Sequence, residues 1–140
     1  MQQLKELRAL EKELAVVLED RRDTIPYLIE SYRGVVKEDP KNLKLIVARR
    51  ADSRNSKEFK VMWEMEQALE EELEKLFKAT GTHQGLQKDM GWLEAHTEIQ
   101  KYSKIVADHE GRYNDLLAFL EGKTKKFPYL IFKTYVEKRI

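Results

Sequence analysis

The chain has 140 residues, of which 41% are apolar and 36% charged, with a formal net charge of +1 and no cysteine. That length suits one domain with a proper core, here residues 1–140. The lack of cysteine excludes a disulfide framework, a thiolate nucleophile and a cysteine metal site. No apolar run approaches the roughly 18 to 20 residues that a membrane-spanning helix needs.

The first segment predicts one long amphipathic helix, because its apolar residues recur at steps of three, four or seven. This stripe comprises Leu4, Leu7, Leu14, Leu18, Ile25, Leu28, Tyr32 and Val35. Two polar residues, Glu11 and Arg21, share the same face. Pro26 lies inside the pattern and removes one backbone hydrogen bond. Since the stripe resumes in phase after Pro26, we expect a bend in the helix rather than its end.

A second helix is predicted after a turn at residues 37–40, with Asp39 as its N-cap. The polar string ADSRNS at 51–56 interrupts its apolar pattern, and Ser56 is the candidate cap of the continuation. The inward face of that continuation comprises Phe59, Met62, Trp63, Glu66, Leu69, Leu73, Leu76 and Phe77. Gly81 follows at the end, where a glycine can adopt the left-handed conformation.

A third helix is predicted from about Leu86 to the GKTKKF segment at 122–127. Its stripe comprises Trp92, Ala95, Ile99, Tyr102, Val106, His109, Tyr113, Leu116 and Leu120. The aromatic tail after Pro128 is predicted to fold back as a short helix. Long helices joined by short connections favour antiparallel neighbours. The prediction is an all-α, elongated, antiparallel up-and-down bundle of three long helices plus a short C-terminal helix.

Several stretches resemble the LemA family, whose first motif is similar to R-R-x-D-L-I-P-N-L-V followed by an E-T-x-K-G-like segment. The matching positions here are Arg21, Asp23, Ile25, Pro26, Leu28, Ile29, Glu30, Ser31, Arg33 and Gly34. The end of the family's next helix is matched by Leu43, Ile46 and Arg50, and its later motifs by Val106, Tyr113, Asn114, Phe127 and Pro128. Departures from the family pattern are Ser103, Lys104, Glu110, Leu120 and Glu121.

The resemblance implies a four-helix bacterial protein of unestablished biochemical role, usually tethered by one N-terminal membrane helix. Such a tether is absent from the sequence given, so either it precedes Met1 or the chain is a soluble variant. We expect a membrane-anchored full-length protein that works through an unidentified protein partner. The alternative is a soluble cytoplasmic adaptor without a membrane link.

The sequence indicates no catalytic residues, no metal site and no cofactor. A di-iron carboxylate site would need Glu-x-x-His pairs. The residues three positions before the histidines are Thr80, Leu93 and Val106. His109 lies on the apolar stripe and is interpreted as a hydrogen-bonded core histidine, whereas His83 and His96 are interpreted as solvated. No glycine-rich phosphate loop is present, and an enzyme is the least supported hypothesis.

Two basic groups suggest nucleic-acid or anionic-lipid binding. They are Arg49, Arg50 and Arg54, and Lys123, Lys125 and Lys126. The alternative is that they are solvated helix ends, where cations interact favourably with the helix dipole, and we predict no nucleic-acid partner. The tail aromatics, if they do not pack back, would mark a partner or membrane contact. They are Tyr129, Phe132 and Tyr135.

Arg21 carries the most specific structural prediction, because a buried guanidinium cannot lose its charge and must find acceptors. An antiparallel arrangement of the first two helices would place it within about a turn of Glu66. We predict that the two residues meet inside the bundle and fix its register. The alternative is that Arg21 reaches solvent along its stem. The apolar stripes are wide enough to close within one chain, which predicts a monomer.

Overall fold

The computed structural model describes residues 2–124, and every regular element in that range is an α-helix. The helices are α1 (Gln2–Val35), α2 (Leu43–Asn55), α3 (Phe59–Thr80), α4 (Gln84–Gln87) and α5 (Met90–Thr124). The predicted all-α class is confirmed. The predicted C-terminal helix, together with Phe127 and Pro128, lies outside the described residues.

Helix α1 continues without interruption through Pro26, as predicted. Pro26 itself is exposed, so its ring lies on the solvent side of the helix. The predicted stripe is the buried face, and Leu7, Leu14 and Leu18 have no exposed surface. The periodicity of the apolar residues therefore identified the correct face of α1.

The single helix predicted between residues 40 and 80 is wrong, because α2 and α3 form an antiparallel hairpin that reverses at residues 56–58. The Asn42 amide nitrogen donates to the Glu72 carbonyl oxygen at 2.8 Å. In one straight helix these residues would lie about 45 Å apart. The interruption of the polar string was predicted correctly, but the reversal of the chain was not.

Three predicted helix ends also differ from the structure. The N-cap residue of α2 is Asn42, and the Asp39 carboxylate instead accepts a hydrogen bond from Arg33 Nε at 2.8 Å. The Ser56 hydroxyl donates back to the Asp52 carbonyl oxygen at 2.6 Å, and Glu58 precedes α3. Gly81 is right-handed, with φ −58° and ψ −28°.

The helix predicted from Leu86 is divided in two. The short helix α4 ends at Gln87, and the Asp89 carboxylate then accepts a hydrogen bond from the Trp92 backbone N–H at 2.9 Å. This is the geometry of an N-cap, and it starts α5 anew. At Gly91 a Cβ would lie 2.8 Å from Ser31 Oγ, so the missing side chain lets α5 approach α1 closely.

The helices enclose two apolar clusters. Contacts between Arg21 and Ser103 and between Tyr32 and Trp92 show that α1 and α5 are antiparallel. What we call the central cluster comprises Ile25, Leu28, Ile29, Ile46, Leu69, Leu73, Leu76, Leu86, Trp92, Ala95 and Ile99. The terminal cluster comprises Leu7, Leu10, Leu14, Leu18, Phe59, Met62, Trp63, Tyr113, Leu116 and Leu120. Because each cluster takes successive parts of α1 and α3 in the same order, these two helices are parallel.

Candidate functional site

A layer of charged and hydroxyl side chains lies between the two apolar clusters and joins four helices. This charged layer comprises Arg21 and Arg22 from α1, Ser53 from α2, Glu66 and Glu70 from α3, and Ser103 from α5. Arg21, Ser53 and Glu66 are only 2%, 1% and 1% exposed. Buried charges are tolerated when they are paired and hydrogen-bonded, which is the arrangement here.

Arg21 contacts both carboxylates of the layer. Its Nη2 donates to Glu66 Oε2 at 2.9 Å, and its Nη1 donates to Glu70 Oε2 at 2.5 Å. The Ser103 hydroxyl accepts from the same Nη1 at 3.1 Å and donates to Glu70 at 2.8 Å. The predicted pair of Arg21 and Glu66 is therefore confirmed. The antiparallel arrangement behind that prediction was wrong, but both residues lie near the middle of the bundle and meet there.

Glu66 also pairs with a second guanidinium, that of Arg22, which the sequence analysis did not identify. Arg22 Nη1 donates to Glu66 Oε1 at 2.7 Å and to the Ser53 hydroxyl oxygen at 2.9 Å. The Ser53 hydroxyl in turn donates to Glu66 Oε1 at 2.8 Å. Both carboxylate oxygens of Glu66 are thus occupied, each by a different arginine. Ion pairs fixed in this way set the axial register of the helices relative to one another.

Pro26 and Arg50, both family-motif residues, are connected through the backbone of α1. Pro26 has no N–H to donate to the carbonyl oxygen of Arg22, four residues earlier. Arg50 Nε donates to that carbonyl oxygen at 2.9 Å. A side chain from α2 therefore supplies the hydrogen bond that the proline removes. This contact explains why an exposed proline inside α1 does not leave an unsatisfied acceptor.

An open groove of about 430 Å³ lies beside the charged layer, between α3 and α5 with α1 beneath. Its apolar lining includes Leu18, Trp63, Val106 and Ala107, and Arg21 also reaches it. Its carboxylates are Glu66, Glu70, Glu71, Glu74 and Glu110. The groove therefore combines apolar surface with a strong excess of negative charge.

The charged layer offers little for catalysis. Both serine hydroxyls donate to carboxylates, and nucleophilic catalysis requires a serine next to a general base such as histidine. Among residues 2–124 no group of three or more His, Asp or Glu side chains could hold a metal ion. What the arrangement can do is hold four helices in register and present acceptors in the groove.

The three histidines depart in part from their predicted roles. His109 is hydrogen-bonded, with Nδ1 at 2.7 Å from the Ile105 carbonyl oxygen, but it is 31% exposed and lies at the edge of the core. His83 is exposed as predicted, and its ring caps α4. The prediction for His96 is wrong, because its ring stacks on Phe77 with centroids 3.8 Å apart. Burial lowers the pKa of His96.

The remaining motif residues occupy different environments. Ile25 and Leu28 belong to the central cluster, and Tyr113 to the terminal cluster. The exposed positions are Asp23, Pro26, Gly34 and Asn114. Sequence reasoning missed Arg22, Ser53, Glu70 and Ser103. The available signal was the arginine next to Arg21, which stands at the variable position of the family motif, since two adjacent cations at the middle of an amphipathic helix need acceptors on two sides.

This combination of an Arg-Arg pair, an in-helix proline and a returning arginine lies within the region matched by one family model, the LemA family, over residues 11–138. The chain belongs to the LemA family. No curated protein and no solved structure matches it significantly. LemA is not a known enzyme family. Between residues 2 and 124, none of the helices of this LemA chain combines the length and the hydropathy of a membrane-spanning segment.

Proposed function

We propose that this LemA protein is a non-enzymatic interaction and scaffold module that works at or near a membrane through a protein partner. The observation that supports the proposal is the groove between α3 and α5, which lies directly beside the charged layer. Binding sites on rigid helices are held more precisely than sites on loops. The charged layer ties together the three helices that line the groove, so a partner would meet a preformed surface.

One arginine of the basic group on α2 is held by a contact within the bundle. Arg50 is partly buried and donates to the Arg22 carbonyl oxygen. The hydrogen bond from Asn42 lowers the pKa of the Glu72 carboxyl, and Arg49 adds a smaller electrostatic contribution in the same direction. The internal contact of Arg50 leaves fewer free cations on α2, which supports a protein partner over a nucleic acid. Because both apolar clusters close within one chain, we infer a monomer.

Site-specific photo-crosslinking tests this proposal in cells. A photoreactive residue replaces Glu71, an exposed groove position on α3, and, as the control, Glu30, which is exposed on α1 away from the groove. We expect a discrete protein adduct from Glu71 in the membrane fraction and none from Glu30. An adduct only in the cytosolic fraction would favour the soluble adaptor. Equal adducts from both positions, or none from Glu71, would contradict binding through the groove.

A further inference from the structure

The outer face of α2 differs in composition from that of its neighbour α3. Over about two helical turns, from residue 45 to 51, every exposed residue is apolar, and we call these residues the outer arc: Leu45, Val47, Ala48 and Ala51. Leu45 and Val47 are 43% and 55% exposed. In two turns of α3, from residue 64 to 71, the exposed residues are instead Glu64, Gln67 and Glu71. Single exposed apolar residues are ordinary, but a continuous apolar surface indicates a contact with something else.

The outer arc faces away from the bundle because of how α2 is packed. The buried residues of this helix are Ile46, in the central cluster, and Ser53, in the charged layer. At 3.6 residues per turn, Ala48 lies on the opposite side of the helix from both. Arg49 and Arg50 lie at the edges and are half-buried, and Arg50 donates to a carbonyl oxygen of α1. The arc between them therefore carries no charge.

Cations stand at both ends of the outer arc. Lys41 and Lys44 lie on its N-terminal side, Arg54 and Lys57 follow it, and all four are exposed. None of the four belongs to an ion pair formed between residues 2 and 124. The exposed acid from residue 41 to 57 is Asp52, so four cations against one anion leave a net charge of +3 on this surface. The whole chain carries only +1, so positive charge is concentrated around the apolar arc.

The size and shape of the outer arc suit a lipid surface better than a protein. Helix α2 has 13 residues; it is about 20 Å long, and its convex exposed side, about 10 Å wide, offers only about 200 Å². A standard protein interface buries about 800 Å² on each partner. A bilayer needs no matching groove, because apolar side chains enter the boundary between headgroups and acyl chains. Lysine stems lie on apolar surface while their ammonium groups reach outwards, and anionic lipids attract them.

We propose that the outer arc of α2 lies on an anionic bilayer surface, with Leu45 and Val47 at the headgroup boundary and the four flanking cations at lipid phosphates. This inference rests on the proposed function in one respect, since it names the surface by which the interaction module meets a membrane. The groove between α3 and α5 has no lining residue from α2. The chain can therefore contact a bilayer and a protein partner at the same time.

Cosedimentation of the full chain with lipid vesicles tests the proposal. We expect binding to vesicles of phosphatidylcholine with about 30% phosphatidylserine, and binding at least about tenfold weaker to phosphatidylcholine alone. Added salt should weaken the binding to the anionic vesicles, because salt screens exposed charges. These two results would show the electrostatic part of the contact.

A matched pair of double variants tests the apolar part. Leu45→Gln with Val47→Gln should weaken binding to the anionic vesicles by about fivefold or more, because the apolar side chains no longer enter the boundary region. The control is Val16→Gln with Met90→Gln, at exposed apolar positions outside α2, and it should change binding by less than about twofold. Because all four positions are exposed, the fold should be kept, which the circular dichroism spectrum checks.

A matched pair of triple variants, each removing three exposed cations, tests the basic part. The variant at the ends of the outer arc should weaken binding by about tenfold or more; it comprises Lys41→Gln, Lys44→Gln and Lys57→Gln. The control on α1 and α5 changes the net charge equally and should weaken binding by less than about threefold; it comprises Lys5→Gln, Lys12→Gln and Lys104→Gln.

A single fluorescent reporter locates the contact, because the chain has no cysteine of its own. Ala48→Cys carries an environment-sensitive fluorophore at the centre of the outer arc, and Thr97→Cys, exposed on α5, carries it as the control. On anionic vesicles the emission of the label at position 48 should shift to shorter wavelength, and that of the label at position 97 should not.

Four results would overturn the proposal: equal binding to neutral vesicles, an unaffected Leu45 and Val47 double variant, an unaffected lysine triple variant, or an emission shift at position 97 alone. A photoreactive residue in place of Ala48 that gave a discrete protein adduct in cells would assign this face to a protein instead. Crosslinking at Glu71 keeps the two levels apart. A membrane-fraction adduct at Glu71 without vesicle binding would leave the interaction module standing and refute the lipid contact. Vesicle binding without an adduct at Glu71 would support the lipid contact and refute binding through the groove.

Discussion

Glu66 is the carboxylate on which two buried guanidinium groups converge, so its replacement tests the charged layer most directly. Glu66→Met leaves Arg21 with Glu70 and Ser103, but it leaves Arg22 with only the Ser53 hydroxyl. Removing one partner of a buried ion pair costs about 3–5 kcal/mol. Since folded proteins are stable by roughly 5–15 kcal/mol, this single substitution should bring the protein close to unfolding.

The companion variants should differ from Glu66→Met in a defined order. Arg21→Met leaves Glu66 bonded to Arg22 and Ser53, so we expect a smaller loss of about 1.5–3 kcal/mol, the worth of a hydrogen bond to a charged group. The double variant Arg21→Met with Glu66→Met still leaves Arg22 without a carboxylate partner. Only the triple variant that adds Arg22→Met removes all three charges, and it should recover most of the lost stability.

Urea unfolding followed by circular dichroism measures these differences. With a slope of about 2 kcal/mol per molar, a loss of about 4 kcal/mol lowers the midpoint by about 2 M. The reasoning would be refuted if Glu66→Met cost less than about 1 kcal/mol. It would equally fail if Arg21→Met proved the more damaging single change, or if the triple variant were as unstable as Glu66→Met.

Three further predictions use the same urea assay. Arg50→Met should lower the free energy of unfolding of the native chain by about 1–2 kcal/mol. In a Pro26→Ala background the loss should be clearly smaller, because the alanine N–H restores the helical hydrogen bond to the Arg22 carbonyl oxygen. Equal losses in the two backgrounds would contradict this. Gly91→Ala should lower the free energy of unfolding by about 1 kcal/mol, because the new methyl group crowds α1. Gly111→Ala, with open space around it, should raise the free energy of unfolding by about 1 kcal/mol. A change of the same sign in both variants would contradict this prediction. Because burial lowers the pKa of His96, the unfolded chain binds that proton more readily. Stability should therefore fall as pH drops below about 6.5. His96→Phe should reduce this dependence of stability on pH, and an unchanged dependence would contradict the prediction.

Apolar periodicity predicted which faces of the helices are buried but not the path of the chain between them. The polar string at 51–56 marked an interruption, and nothing local to it encoded a reversal. The direction is decided by contacts between residues far apart in sequence, such as Asn42 with Glu72 and Ser53 with Glu66. A straight continuation and a hairpin have the same local pattern, so the sequence could not separate them.

The charged layer was predictable only where its members lie on an apolar stripe. Arg21 and Glu66 interrupt such stripes, and each therefore required a buried partner. Arg22 lies beside the stripe and is buried because α2 packs against that side of α1, a placement that depends on the hairpin. Ser103 was interpreted as a departure from the family pattern, although its hydroxyl joins Arg21 to Glu70.

The division of the core into two clusters gives the chain an order of assembly during synthesis. The central cluster uses only residues between Ile25 and Ile99, so all of its parts exist before the chain is finished. The terminal cluster joins Leu7 to Leu120, and it must wait for nearly the last residues of α5. Contacts so distant in sequence carry the largest loop-closure cost. Until they close, the leucines at the start of α1 face water, and the nascent protein is most prone to aggregate at that end.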